Sequence, residues 1–89
     1  MKIYNVSYVH VWDKGVHIDV QPFLDMEDAA KCYEKKRALA VEVARDDDPD
    51  SDEEVFRDLR IRESQYHFIC RVPEDGEFFD VRLSQSEAG

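Results

Sequence analysis

The stretch Asp46 to Glu54, DDDPDSDEE, is the most chemically loaded part of the chain: Asp46, Asp47, Asp48, Asp50, Asp52, Glu53 and Glu54 stand together with no basic side chain among them. Carboxylates at that density could hold a cation, exchange protons as an acid/base pair, or steer an oppositely charged partner. Cation binding is the most exacting of the three. Asp46, Asp48, Asp50 and Asp52 fall where an EF-hand loop carries its first ligands, but the position that needs glycine for the sharp turn is Ser51. The position that needs a bidentate glutamate is Arg57, and Pro49 stiffens the path. No metal site is expected in this run. An acid/base pair needs two carboxyl groups whose surroundings push their pKa values apart, whereas this run offers water and mutual repulsion.

The other reactive side chains are no better placed. His10, His17 and His67 lack the spacing of a ligand pair on one element, and Cys32 and Cys70 form no CxxC. Apolar neighbours around both cysteines suit inert core thiols, and Ser7 has no identifiable base. The chain contains no glycine-rich phosphate loop, GxSxG elbow or HExxH pair. A non-enzymatic chain is expected, with no catalytic residues and no cofactor. Steering is what remains for the carboxylates.

Charge bookkeeping sharpens that role. The 89 residues hold 12 basic and 21 acidic side chains, a net charge of -9. Removing the seven acids of DDDPDSDEE leaves 14 acids against 12 bases, only -2. The acidity is therefore localised, unlike a solubilising excess scattered over the surface. Direct nucleic-acid binding is disfavoured, because phosphate binders gain affinity by releasing counterions to Lys and Arg. The start, MKIYNVSYVHVW, is a polar-interrupted strand pattern where a signal peptide would have a continuous apolar core. With two cysteines far apart in sequence, these features predict a cytoplasmic protein with free thiols and no membrane contact, in the host cytoplasm if the chain is phage-encoded.

The elements that would position such a run can be read in order. Lys2 to Trp12 is rich in aromatic and β-branched residues, and Val16, Ile18 and Val20 alternate with polar neighbours, so residues 2–23 form a hairpin about the DKG turn. Asp25 as N-cap, with Glu27 and Asp28 behind it, opens a helix over Met26 to Arg45. Its expected inner stripe is Met26, Ala29, Ala30, Tyr33, Ala40, Val41 and Ala44, broken by Lys36 and Arg37 and widened by Cys32, Leu39 and Val43. Ser51 and Glu54 form a capping box for a short helix, although Val55, Arg57, Leu59 and Ile61 also alternate like a strand; the short helix is preferred. Tyr66 to Val72 and Phe79 to Leu83, joined at PEDG, make a second hairpin. The expectation is an α+β domain over residues 1–84 with the acidic loop 46–54 inside it and a disordered tail at 85–89. Its order is ββαββ: a four-stranded antiparallel sheet with one main helix on one face.

The turn at Asp13 to Gly15 decides which side chains share a face. A three-residue loop puts Tyr4, Val6, Tyr8, His10 and Trp12 beside Val16, Ile18 and Val20. A two-residue loop puts Val9 and Val11 with Ile18 and Val20, there expected under the helix, and lines Tyr4, Tyr8, His10 and Trp12 along the outer face. Either way a helix-free face carries apolar side chains, which commonly marks a protein contact. Tyr4, Tyr8, Trp12 and Phe56 are the candidate desolvated anchors beside the acidic run, because rim charges alone add little affinity.

In size and charge character, a compact acidic domain with one localised carboxylate run resembles the small inhibitors of phages and mobile elements, anti-CRISPR proteins among them. The resemblance rests on no family motif, and no residue is carried over from it. It implies an inhibitor that places its acids, as a phosphate mimic, in the Lys- and Arg-lined groove of a basic nucleic-acid-handling protein or nucleoprotein complex. The competing readings are a dimerising structural or regulatory module using the exposed sheet face, and a small enzyme or metal-responsive switch.

Overall fold

A computed structural model describes residues 1–45, 59–73 and 76–87. In chain order the elements are β1 (Lys2–Trp12), β2 (Gly15–Phe23), α1 (Met26–Arg45), β3 (Arg60–Glu63), β4 (His67–Val72) and β5 (Glu77–Glu87). All strands are antiparallel to their neighbours, in the spatial order β2-β1-β5-β4-β3, and the helix covers one face. This is the expected α+β class with one strand more than expected. The fifth strand, Arg60–Glu63, pairs with the free edge of β4, opposing Ile61 to Cys70 and Glu63 to Phe68. The short helix expected after the acidic run lies outside the described residues, apart from its border at Leu59.

Helix α1 has the bounds that its signals predict. The Asp25 side chain accepts a hydrogen bond from the Glu27 backbone N–H at 2.7 Å, capping a donor that has no intrahelical partner. Ala29, Tyr33, Ala40 and Ala44 are buried on the sheet side, whereas Leu39 and Val43 are exposed. Three alanines at the contact let the helix backbone lie close to the sheet. The Tyr33 hydroxyl is buried with no hydrogen-bond partner among the described residues, and burial raises its pKa. Gly76 enters β5 with φ 67°, the left-handed region that a side chain resists.

The first hairpin uses a two-residue turn, Asp13-Lys14: Trp12 pairs with Gly15, Val11 with Val16, and Val9 with Ile18. That register joins Val9 and Val11 to Ile18 and Val20, but these residues turn away from the helix. The helix covers the opposite face, where Val6 and Tyr8 meet Leu83 and Val81 of β5. The second hairpin explains the reversal. Phe79, Val81 and Leu83 with Phe68, Cys70 and Val72 present a large apolar surface in register with Tyr8 and Val6, and burying that side removes more apolar area from water. Strand β5 continues through Gln85 to Glu87 opposite Tyr4 to Lys2, so the residues expected as a tail extend the ladder along the long β1 as far as Glu87.

Strand β3 is fastened by charge as well as by its ladder. Arg37 of α1 donates from Nε and Nη2 to the two Glu63 oxygens at 2.8 Å each, and its guanidinium lies 5.2 Å from the Phe68 ring centre. The hydrogen-bonded Arg37 holds the Glu63 carboxyl below its ordinary range, and Lys36, 3.0 Å from Asp19, does the same there. A carboxylate depressed in the folded state stabilises fully above its unfolded pKa and loses that contribution as pH falls through the folded value. We expect denaturant midpoints to stay level between neutrality and about pH 5, then fall below about pH 4. The acid-side fall should be shallower in Glu63→Gln than in the parent, and equal slopes would remove Glu63 as a cause.

Candidate functional site

The helix side and the helix-free side of the sheet differ in what they leave available. On the helix side, Tyr8 is 4% exposed and belongs to the core, Tyr4 packs partly buried against it, and burial raises the Tyr8 pKa. His10 stacks on Phe79 with ring centres 4.2 Å apart, lies 4.7 Å from the Trp12 ring and meets Glu77 at 3.0 Å. Tyr4 and Tyr8 therefore serve the core, contrary to their expected place on an outer anchoring face. The apolar inner faces of β4 and β5, Phe68, Cys70 and Val72 with Phe79, Val81 and Leu83, supply the counterpart that captures them. Trp12 sits half-buried on the same side, at the end of the first hairpin. Asp46, Asp47, Asp48, Asp50, Asp52, Glu53, Glu54 and Phe56 lie outside the described residues.

On the helix-free side, the strand registers align side chains in rows across the sheet. One row runs Val16, Val11, Phe78, Arg71, Arg60; the next runs Ile18, Val9, Asp80, Ile69, Arg62. A third holds Val20, Ser7, Arg82 and His67. The β2 end is aliphatic and open to solvent, with Val16 58%, Ile18 64% and Val20 53% exposed. The β4–β3 end is cationic. Arg60, Arg62 and Arg71 border a shallow groove with Ile69, Pro73 and Phe78, and the Arg71 guanidinium lies 5.6 Å from the Phe78 ring centre. Two described carboxylates adjoin these arginines: Asp80, which His67 and Arg82 engage at 3.2 and 3.7 Å, and Glu77, which lines the groove and meets His10 at 3.0 Å.

This surface joins an exposed aliphatic strip, the Phe78 and His67 rings, and a cluster of arginines. Among the described residues no group of three or more His, Cys, Asp or Glu could hold a metal. The cysteines are free thiols, Cys70 buried and Cys32 partly so, and burial raises both pKa values, which suppresses the nucleophilic thiolate at neutral pH. Cys70 fits the expected inert core thiol, whereas Cys32 is at the border, its Sγ 3.5 Å from Gln21 Oε1. No described helix is long and apolar enough to cross a membrane. The arginine cluster is hidden in the linear sequence because RIRE and HFICRV show their shared alternation only after β3 is paired to β4. Compared with family models, curated proteins and solved structures, the chain matches none.

Proposed function

We propose that the chain is a non-enzymatic protein-binding domain of the cytoplasm whose contact surface is the helix-free face of the sheet. The observation that carries this reading is the solvent exposure of Val16, Ile18 and Val20 on one strand, beside Val9, Val11 and Phe78 on the neighbouring strands. Water around such a strip is released on contact, a gain proportional to the apolar area covered. A partner-binding anchor is accordingly Ile18 or Phe78, in place of Tyr4 and Tyr8. Replacing Ile18 by Asp should leave the melting temperature nearly unchanged and abolish capture of the partner that the parent chain retains from cell extract. Equal capture by both would defeat the reading.

A second reading is favoured by the localisation of seven of the 21 acids in Asp46 to Glu54. In it the acidic run steers the domain to a basic nucleic-acid-handling protein and blocks its groove, as an anti-CRISPR-like inhibitor would. Replacing the seven acids by Asn and Gln separates the two: steering requires capture to collapse and to weaken with salt, whereas contact through the sheet face survives.

A further inference from the structure

We propose that the arginine end of the helix-free face selects an acidic polypeptide, whose aliphatic side chains cover the Val16–Ile18–Val20 strip while its carboxylates seat on Arg60, Arg62 and Arg71. This rests on the sheet face being the contact surface and names the chemistry of its partner. Neighbouring strands lie about 4.8 Å apart, so β2 to β3 spans roughly 19 Å, which about six extended residues cross. Arg60 and Arg71 are direct cross-strand partners, and like charges placed opposite each other repel. Neither Arg60, Arg62 nor Arg71 has an ion pair among the described residues, and an anionic occupant relieves the repulsion.

Three occupants compete, and the row order discriminates among them. A second copy stacked face to face must relate the two sheets by a two-fold axis lying between them. With the axis along the strands, Arg60 and Arg62 of one copy face the aliphatic strip of the other, burying charge without a partner. With the axis across the strands, arginines meet arginines. Nucleic acid supplies anions but no aliphatic groups for β2, and the aromatic rings described on this face for a base to stack on are Phe78 and His67, the latter engaged with Asp80. A polypeptide mixing apolar and acidic side chains satisfies both ends at once.

The test uses the full chain and a short fluorescein-labelled peptide that begins with leucines and ends with glutamates. We expect saturable binding that weakens with salt, with amide shifts on Ile18, Val9 and Phe78 as well as on Arg60, Arg62 and Arg71. The triple variant R60S/R62S/R71S should bind roughly tenfold more weakly with a flattened salt dependence, and Arg71→Ser alone should show the same trend if the triple variant misfolds. Undiminished binding by these variants, with shifts confined to β1 and β2, overturns the arginine assignment while leaving the contact face intact. Undiminished binding by Ile18→Asp overturns the face itself. A single-stranded oligothymidine binding more tightly than the peptide, self-association of the chain through this face, or no saturable peptide binding would each overturn the proposal.

Discussion

Phe79→Ala is expected to destabilise the domain by about 3–5 kcal/mol, the range for truncating a fully buried aromatic that leaves a cavity behind. Phe79 is 0% exposed on β5, held between β1 and β4, with His10 stacked on one side and Cys70 opposite on β4. Removing the ring takes away apolar burial at the centre of the sheet and leaves the half-buried His10 without its stacking partner. A domain of this length holds a total stability of only about 5–15 kcal/mol, so the variant should melt well over about 10 °C lower. The adjacent Phe78 is the control. Its ring lies on the helix-free face, and Phe78→Ala should cost only about 1 kcal/mol, yet weaken partner binding. Calorimetry or denaturant titration of the pair checks the result. Reversed sensitivities would mean that the helix covers the other face.

Ala40→Leu should also be damaging, destabilising by about 1–3 kcal/mol although it adds apolar surface. Ala40 is 0% exposed, as are Ala29 and Ala44 along the same side of α1. The helix approaches the sheet so closely that added methylenes must displace either the helix or the side chains beneath it, and a close-packed interior resists both. Leu39, the next residue back, is 40% exposed, and Leu39→Ala should change the unfolding free energy by no more than about 0.5 kcal/mol in a denaturant titration. If Ala40→Leu instead stabilises the chain, the helix and sheet are separated by a void that larger side chains can fill.

Because the exposed aliphatic strip and the core lie on opposite faces of one sheet, they can be altered independently. Ile18 and Phe78 face outward, while Tyr8, Phe68 and Phe79 face the helix. Substitutions on β2 can therefore probe the contact surface without unfolding its support. Strand β3 is the exception. It is four residues long and is tied to α1 by the Arg37–Glu63 pair, so its arginines are presented by an element that this bridge helps hold. Loosening that bridge should weaken recognition of an acidic partner even though neither residue touches it.

Residue types and their spacing determined every element whose signal is local. Asp25 followed by Glu27 and Asp28 opens the helix, and the absence of Gly or Pro to Arg45 lets it run. Alternation in β2, and β-branched and aromatic residues in β1, are local as well. The sheet face chosen by the helix is not local, since β1 offers two apolar sets, Val6 with Tyr8 and Val9 with Val11. The choice is made by Phe79, Val81 and Phe68 from the other end of the chain, whose burial can be satisfied only with Tyr8 and Val6. The same holds for the candidate site. The carboxylates of DDDPDSDEE are adjacent in sequence and announce themselves, whereas Arg60, Arg71, Phe78, Val11 and Val16 become one row only when four ladders set their registers. A one-residue slip in any ladder would send part of that row to the opposite face, so only the assembled sheet could reveal it.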